Sequence, residues 1–308
     1  MADIVIVGSL ALDSIETPFG KVEDCIGGAG VYASTAASFF SSIGLVGVVG
    51  DDYPEESLKF LCERGVDCGG VKTVPGGKTF RWAGKYEYDM NSAETLDTQL
   101  GVFGDFAPVV PEEYQSARYV FLANILPSVQ LSVLDQVDAS CFTMADTMNF
   151  WIDNAREDLL KVMQRVDLML LNDGEIRQLT GTPNLAKAAQ EILAMGPRYV
   201  VIKKGEYGAT LVSEAGSFTL PCYPLQEVLD PTGAGDSFAG GFIGYLAWAD
   251  RCGDPDLRQA MAIGTVMASR CVESFGLESL AGTSTQDIYD RYFALKSMVE
   301  FQELPAGL

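Results

Sequence analysis

The sequence predicts an α/β protein built on a doubly wound, mainly parallel sheet flanked by helices. Three observations carry that expectation. Short apolar runs of strand length recur at 4–7, 45–49, 119–122, 141–145, 168–171, 199–203 and 209–212. Helical patterns at 55–63, 128–137, 155–166 and 185–193 fall between most of them, which is the alternation of βαβ units. Glycine-rich turns stand where a strand should hand over to a helix, as at Gly27-Gly28 and Gly233-Ala234-Gly235.

Composition narrows the function. With 308 residues and 48% hydrophobic content, the chain can bury a sizeable core. Its apolar runs break well short of the ~18 residues a membrane helix needs. A net charge of −21 argues against nucleic-acid and anionic-membrane partners. Histidine is absent, so no imidazole base, Ser-His-Asp triad or His-ligated metal is available. Seven scattered cysteines, none in a Cys-x-x-Cys pair, predict free thiols in a reducing cytoplasm rather than a zinc site. The N-terminal segment lacks the basic region of a signal peptide, which also predicts a cytoplasmic protein.

Along the chain, Gly8 ends the first apolar run, and Asp13 is expected just beyond it, at the sheet edge where open α/β sheets bind ligands. The polar stretch 14–26 and the alternating stretch 78–90, with Phe80, Trp82, Tyr86 and Tyr88, read as strands exposed on at least one face. Gly27-Gly28-Ala29-Gly30 leads into an alanine-rich helix. It contains a dinucleotide-type Gly-x-Gly-x-x-Ala, yet no buried strand precedes it, so that reading fails. Gly77-Lys78-Thr79 mimics the end of a P-loop, but Lys72 stands where the first glycine belongs. Polar residues close several strands at one edge: Asn124, then Asp146 and Asn149. Such residues serve either as turn caps or as ligand contacts.

Asn172-Asp173-Gly174-Glu175 has the form of a capping box at the head of a helix. Lys203-Lys204-Gly205, with Gly208 beyond, fits a tight hairpin turn carrying two cations in an acidic chain. The most specific run is Asp230-Pro231-Thr232-Gly233-Ala234-Gly235-Asp236-Ser237-Phe238-Ala239-Gly240-Gly241. Its glycines allow a tight turn, and the helix that follows offers unpaired N–H groups and a positive dipole end, a seat for phosphate. The same helix terminus is expected to lower the Asp236 pKa and keep it ionised at neutral pH.

This run resembles the C-terminal signature of the PfkB (ribokinase-like) carbohydrate kinases, and the order of the other motifs agrees over essentially the whole chain. The resemblance implies an ATP- and Mg²⁺-dependent kinase acting on a hydroxyl of a small sugar. It implies Asp236 as the base and Gly233, Ala234 and Gly235 as the anion hole. It also implies Asp13 and the glycines Gly27 and Gly28 on the substrate, and Asn172 with Glu175 organising Mg²⁺ through water. The turn of Lys203, Gly205 and Gly208 falls on the nucleotide side. Asp230 and Thr232, with the Gly276 carbonyl, match positions that hold a monovalent cation such as K⁺.

The family's early Asn-x-Asp reads Ala11-Leu12-Asp13 here, and its usual Asn falls at Tyr32. The substrate-side residues are therefore taken as Asp13, Gly27, Gly28, Tyr32, Arg81 and Asn124. Residues 1–13, 27–77 and 104–308 are assigned to a large domain, and 14–26 with 78–103 to a small β-lid. In this family such a lid covers the substrate and often pairs with a second subunit, which predicts a homodimer. Two alternatives stand. A nucleoside kinase is encouraged by Phe80, Trp82, Tyr86 and Tyr32, which offer rings for a base. A catalytically idle sugar or nucleotide sensor is opposed by the intact Gly-Ala-Gly-Asp.

Overall fold

The computed structural model describes residues 2–138 and 142–302. Its strands, in chain order, are β1 Ile4–Val7, β2 Ala11–Thr17, β3 Gly20–Gly27, β4 Ile43–Gly50, β5 Val66–Val74, β6 Phe80–Tyr86, β7 Ala93–Gln99, β8 Tyr119–Leu122, β9 Phe142–Ala145, β10 Leu168–Asn172, β11 Tyr199–Lys203, β12 Ala209–Ser213 and β13 Gly216–Leu220. Cys141, expected to open β9, lies outside the described residues. Nine strands form one sheet in the order β13-β12-β11-β10-β9-β8-β1-β4-β5. From β5 to β11 every pairing is parallel, and only β12 and β13 run antiparallel at the edge.

The period of two along each strand sorts side chains onto two cores. Ile4, Ile6, Phe121, Leu168 and Leu170 face one side, among residues of helices Ala29–Ala37, Ala234–Ala249 and Asp254–Cys271. Val5, Val7, Leu122, Met169 and Leu171 face the other, toward helices Arg156–Met163, Asp173–Thr180 and Leu185–Ala194. Burial on both faces is why these strands read as unbroken apolar runs. The chain leaves β1 for β4 on one side and returns to β8 on the other. The switch point therefore lies between β1 and β8, and the crevice beyond their C-terminal ends is where open α/β sheets bind ligands.

A second, four-stranded sheet in the order β3-β2-β6-β7 rises from that crevice. It begins at Ala11, so Asp13 lies within β2, paired with Cys25 of β3, rather than in a turn just past β1. Strand β7 is exposed throughout, whereas most of β2 is buried. The P-loop mimic is an ordinary connection: Thr79 is buried and its hydroxyl accepts the Gly50 N–H at 3.0 Å. No helix among the described residues is long and apolar enough to cross a membrane.

Candidate active site

The site is built around the start of helix Ala234–Ala249. Asp230, 1% exposed, accepts the Thr232 N–H at 2.9 Å and the Gly276 N–H at 3.2 Å, which folds the chain into an Asx turn. Gly233 then adopts φ 76°, and a side chain there would strike the Tyr32 ring at 2.5 Å. Of the three amides expected to form an anion hole, that of Ala234 donates to the Pro231 carbonyl at 3.2 Å. Those that follow in the first turn have no intrahelical acceptor.

Asp236 stands in this first turn, half-buried. Its pKa is pushed up to about 7, first by desolvation and then by the Asp146 carboxylate, against the pull of Lys203 and of its own N–H. The expected depression at the helix terminus is therefore reversed. The sequence displays the dipole but hides the burial and the neighbouring negative charge.

Asp13 lies opposite, 4% exposed, and a side chain on Gly27 would fall 1.9 Å from its Oδ2. Gly28 has φ 98° and passes so close to Ser9 that an added Cβ would sit 2.5 Å from the Ser9 carbonyl. Desolvation raises the Asp13 carboxyl to about 7, with Asp236 and Asp230 adding to the rise and the Gly28 N–H opposing it.

Three residues expected on the substrate are otherwise engaged. Tyr32 is 1% exposed beneath Gly233 and offers no free face to a base. Arg81 bridges Asp24 of the small sheet and Asp52 of the turn that follows β4, the latter at 3.1 Å. The Asn124 side-chain carbonyl accepts the Trp151 indole N–H at 2.9 Å.

On the other flank, Asn172 and Glu175 close a capping box. Glu175, 5% exposed, accepts from the Asn172 N–H and side-chain amide, both at 2.7 Å. Desolvation lifts its carboxyl to about 8, Asp146 and Asp173 add to the rise, and Lys203 and the Asn172 N–H oppose it. At the end of β11, Lys203 donates to Asp146 at 2.7 Å. Burial works against the Lys203 charge, but Asp146, Glu175 and Asp236 outweigh it and hold the pKa above the ordinary lysine value. Asp146 was visible in the sequence only as a polar residue closing an apolar strand. Its partner Lys203 closes another strand at the same edge.

Gly205 and Gly208 make the turn between β11 and β12, with φ 53° and 80° and the Lys204 N–H donating to the Gly208 carbonyl at 2.8 Å. The β6–β7 hairpin reaches across the site. Tyr86 accepts from the Thr232 hydroxyl at 3.2 Å, and the Asn91 side-chain oxygen lies 2.3 Å from where a Cβ on Gly205 would be.

Such a fold and cleft, with carboxylates facing a helix N-terminus beneath a small sheet, define the ribokinase-like class of phosphotransferase architecture. Residues 1–283 match the sequence model of the pfkB family carbohydrate kinases. The chain belongs to the PfkB family of carbohydrate kinases. It is 30% identical over 283 residues to the cytidine kinase of Thermococcus kodakarensis, covering 90% of this chain and 98% of that protein. The nucleoside kinase of Methanocaldococcus jannaschii superposes with a TM-score of 0.76 at 18% identity, over 95% of this chain and 98% of that one. A putative ribokinase II of E. coli in complex with ATP and Mg²⁺ gives 0.78 at 19% identity, over 96% and 100%. At these identities the structural matches speak for the fold.

Proposed function

We propose that the chain is an ATP-dependent kinase that transfers the γ-phosphate to a hydroxyl of a small sugar or sugar-like substrate. The observation that carries this reading is the placement of Asp236 in the first turn of helix Ala234–Ala249, with Asp13 across the crevice. Asp13 accepts hydrogen bonds from the acceptor's hydroxyls between Gly27 and Gly28. Asp236 orients the reacting hydroxyl and takes its proton. In the Gly233–Gly235 turn, the amides beyond Ala234 that lack an intrahelical acceptor receive the charge that develops on the phosphoryl oxygens. Lys203 and the Gly205–Gly208 turn belong to the nucleotide side. The small sheet covers the acceptor, and its exposed outer strand β7 is the surface through which two copies would pair.

The nucleotide flank fits magnesium held through water. Asp146, Glu175 and Asp236 surround a single ammonium group, and the raised pKa values of Glu175 and Asp236 mark a cluster whose ionised form a further cation would stabilise. Both Glu175 oxygens are occupied by Asn172, which favours contact through water over direct ligation. Bound magnesium would spread the charge of the nucleotide phosphates. The ATP and Mg²⁺ in the ribokinase II complex support the same pair of cofactors for this chain. A monovalent cation at Asp230 and Thr232 carries less weight, because the Asp230 oxygens already accept two backbone N–H groups.

A second reading, nucleoside kinase, is favoured by the full-length similarity to a cytidine kinase. Turnover over a panel of sugars and nucleosides separates the two, and absence of any turnover would leave an idle binder. On the best acceptor, Asp236→Asn should lower kcat at least about 10²-fold while ATP still binds. Near-parental turnover would remove Asp236 from the mechanism.

A further inference from the structure

Lys203 and Asp146 form a buried ion pair, their side chains 18% and 4% exposed. Such a pair is a poor device for stability, since well-packed apolar side chains of similar size are often as good or better. Its position is informative. A Cβ on Gly235 would lie 3.1 Å from the Lys203 Nζ and 3.8 Å from its Cδ and Cε, so the lysine's outer half lies directly behind the glycine. A larger residue at 235 would crowd the ammonium group out. Asp146 is itself fixed at every oxygen. Its Oδ1 accepts the Thr147 N–H at 2.9 Å, its Oδ2 accepts Lys203, and its main-chain carbonyl accepts the buried Gln130 amide at 2.9 Å. Gln130 also donates to the Ala123 carbonyl at 3.0 Å, which locks the end of β8 to that of β9.

We propose that Asp146 is a positioning residue for phosphoryl transfer, holding the Lys203 ammonium behind Gly235, where its charge faces the phosphoryl group received at the helix N-terminus. The proposal rests on the kinase reading and adds a division of labour. The amides contact the phosphoryl oxygens from the helix side, and Lys203 supplies a compact full charge from behind. Asp146 keeps that charge in place between turnovers, since an untethered lysine would be free to swing into solvent.

The groups facing Asp236 are Asp146 and Lys203 from the ends of β9 and β11, Asp13 from β2, and Cys271 from helix Asp254–Cys271. Glu175 faces Lys203 in turn. Removing one partner of the pair at a time therefore has opposite effects on the base. Asp146→Asn deletes a negative neighbour of Asp236, and Lys203→Met deletes its positive one.

The test is a set of pH–rate profiles for the full-length parent, Asp146→Asn, Lys203→Met, Lys203→Arg and the double variant Asp146→Asn/Lys203→Met. Lys203→Met should lower kcat by about 10²-fold, the usual cost of one transition-state charge donor. Lys203→Arg should recover part of that loss. The acid limb should move to lower pH in Asp146→Asn and to higher pH in Lys203→Met, and a kcat loss in Asp146→Asn that disappears on the Lys203→Met background is the effect that a merely structural pair would not produce. The double variant leaves neither charge unpaired, so it is the one expected to fold if a single variant does not. It should be no slower than Lys203→Met alone, since Asp146 acts through Lys203. Parental kcat in Lys203→Met, limbs that move together, or a double variant as slow as the product of the single effects would overturn the proposal while the kinase reading stands. A parent that phosphorylates nothing in the panel would overturn the kinase reading, and this proposal with it.

Discussion

Lowering the pH from 8 to 6 should reduce kcat/KM about tenfold. A base with a pKa of about 7 is about nine-tenths ionised at pH 8 and about one-tenth ionised at pH 6. The cause is desolvation of Asp236 first and the Asp146 charge second, with Lys203 failing to cancel them. An ordinary aspartate would be fully ionised across this range and the profile would be flat. The assay is initial-rate formation of phosphorylated acceptor with both substrates below saturation, where kcat/KM reports the free enzyme's pKa. Asp13 is also raised to about 7, so its contribution must be separated. Asp13→Asn should lower kcat/KM through lost acceptor binding yet leave the acid limb in place. A parent profile that is flat between pH 6 and 8 would refute the reasoning, as would a limb that vanishes with Asp13.

The same carboxyls bear on stability. Asp13, Asp236 and Glu175 have folded-state pKa values of about 7, about 7 and about 8, all above their unfolded values. Between about pH 4.5 and 8 the folded state thus holds more protons than the unfolded state, and stability falls as pH rises through that window. Tm should be higher at pH 5.5 than at pH 8, and the reverse order would contradict the burial argument. Glu175→Gln can keep the helix cap but removes the ionisable carboxyl. It should raise the Mg²⁺ concentration for half-maximal turnover about tenfold, as loss of an outer-sphere partner does. Overlaying Mg²⁺ titrations would make Glu175 only a cap. Arg81→Ala frees Asp24 and Asp52 and loosens the small sheet from the large one. The acceptor KM should rise several-fold with kcat little changed, and an unaltered KM would remove the clamp from the acceptor's binding.

What the sequence made legible was local or doubly buried. Strands β1, β8, β10 and β11 are apolar along their length because both faces are covered, so composition betrays them. The capping box of Asn172 and Glu175 and the turn at Gly233 are readable because each is fixed by residues close in sequence. Strand β5 was not readable, since it is an edge strand that mixes Asp67, Lys72 and Thr73 with small and apolar residues. The partners of Tyr32 and Arg81 were not readable either. Gly233 and Asp52 are brought to them only by the packing of distant elements. The protonation of Asp236 failed for the same reason: the helix terminus is local, whereas the burial and the Asp146 charge are products of the fold.

The absence of histidine gives that last point its weight. A chain without imidazole has no side chain whose unperturbed pKa lies near neutrality apart from terminal groups. Here the fold brings Asp13, Asp236 and Glu175 into that range instead, by burying them in one crevice with other acidic side chains close by and Lys203 as the cation among them. Such a crevice repels phosphate until its charge is balanced. Under the proposed function the balance would come from backbone amides, from Lys203 and from a divalent cation arriving with the nucleotide. A proposed phosphoryl-transfer site crowded with acidic groups therefore favours the cation-bound state over the empty one. Asp13, Asp236 and Glu175 hold their protons to higher pH than ordinary carboxyls, and under the proposed function cation binding would favour releasing them, so that the proposed base Asp236 would be most strongly ionised with the metal in place.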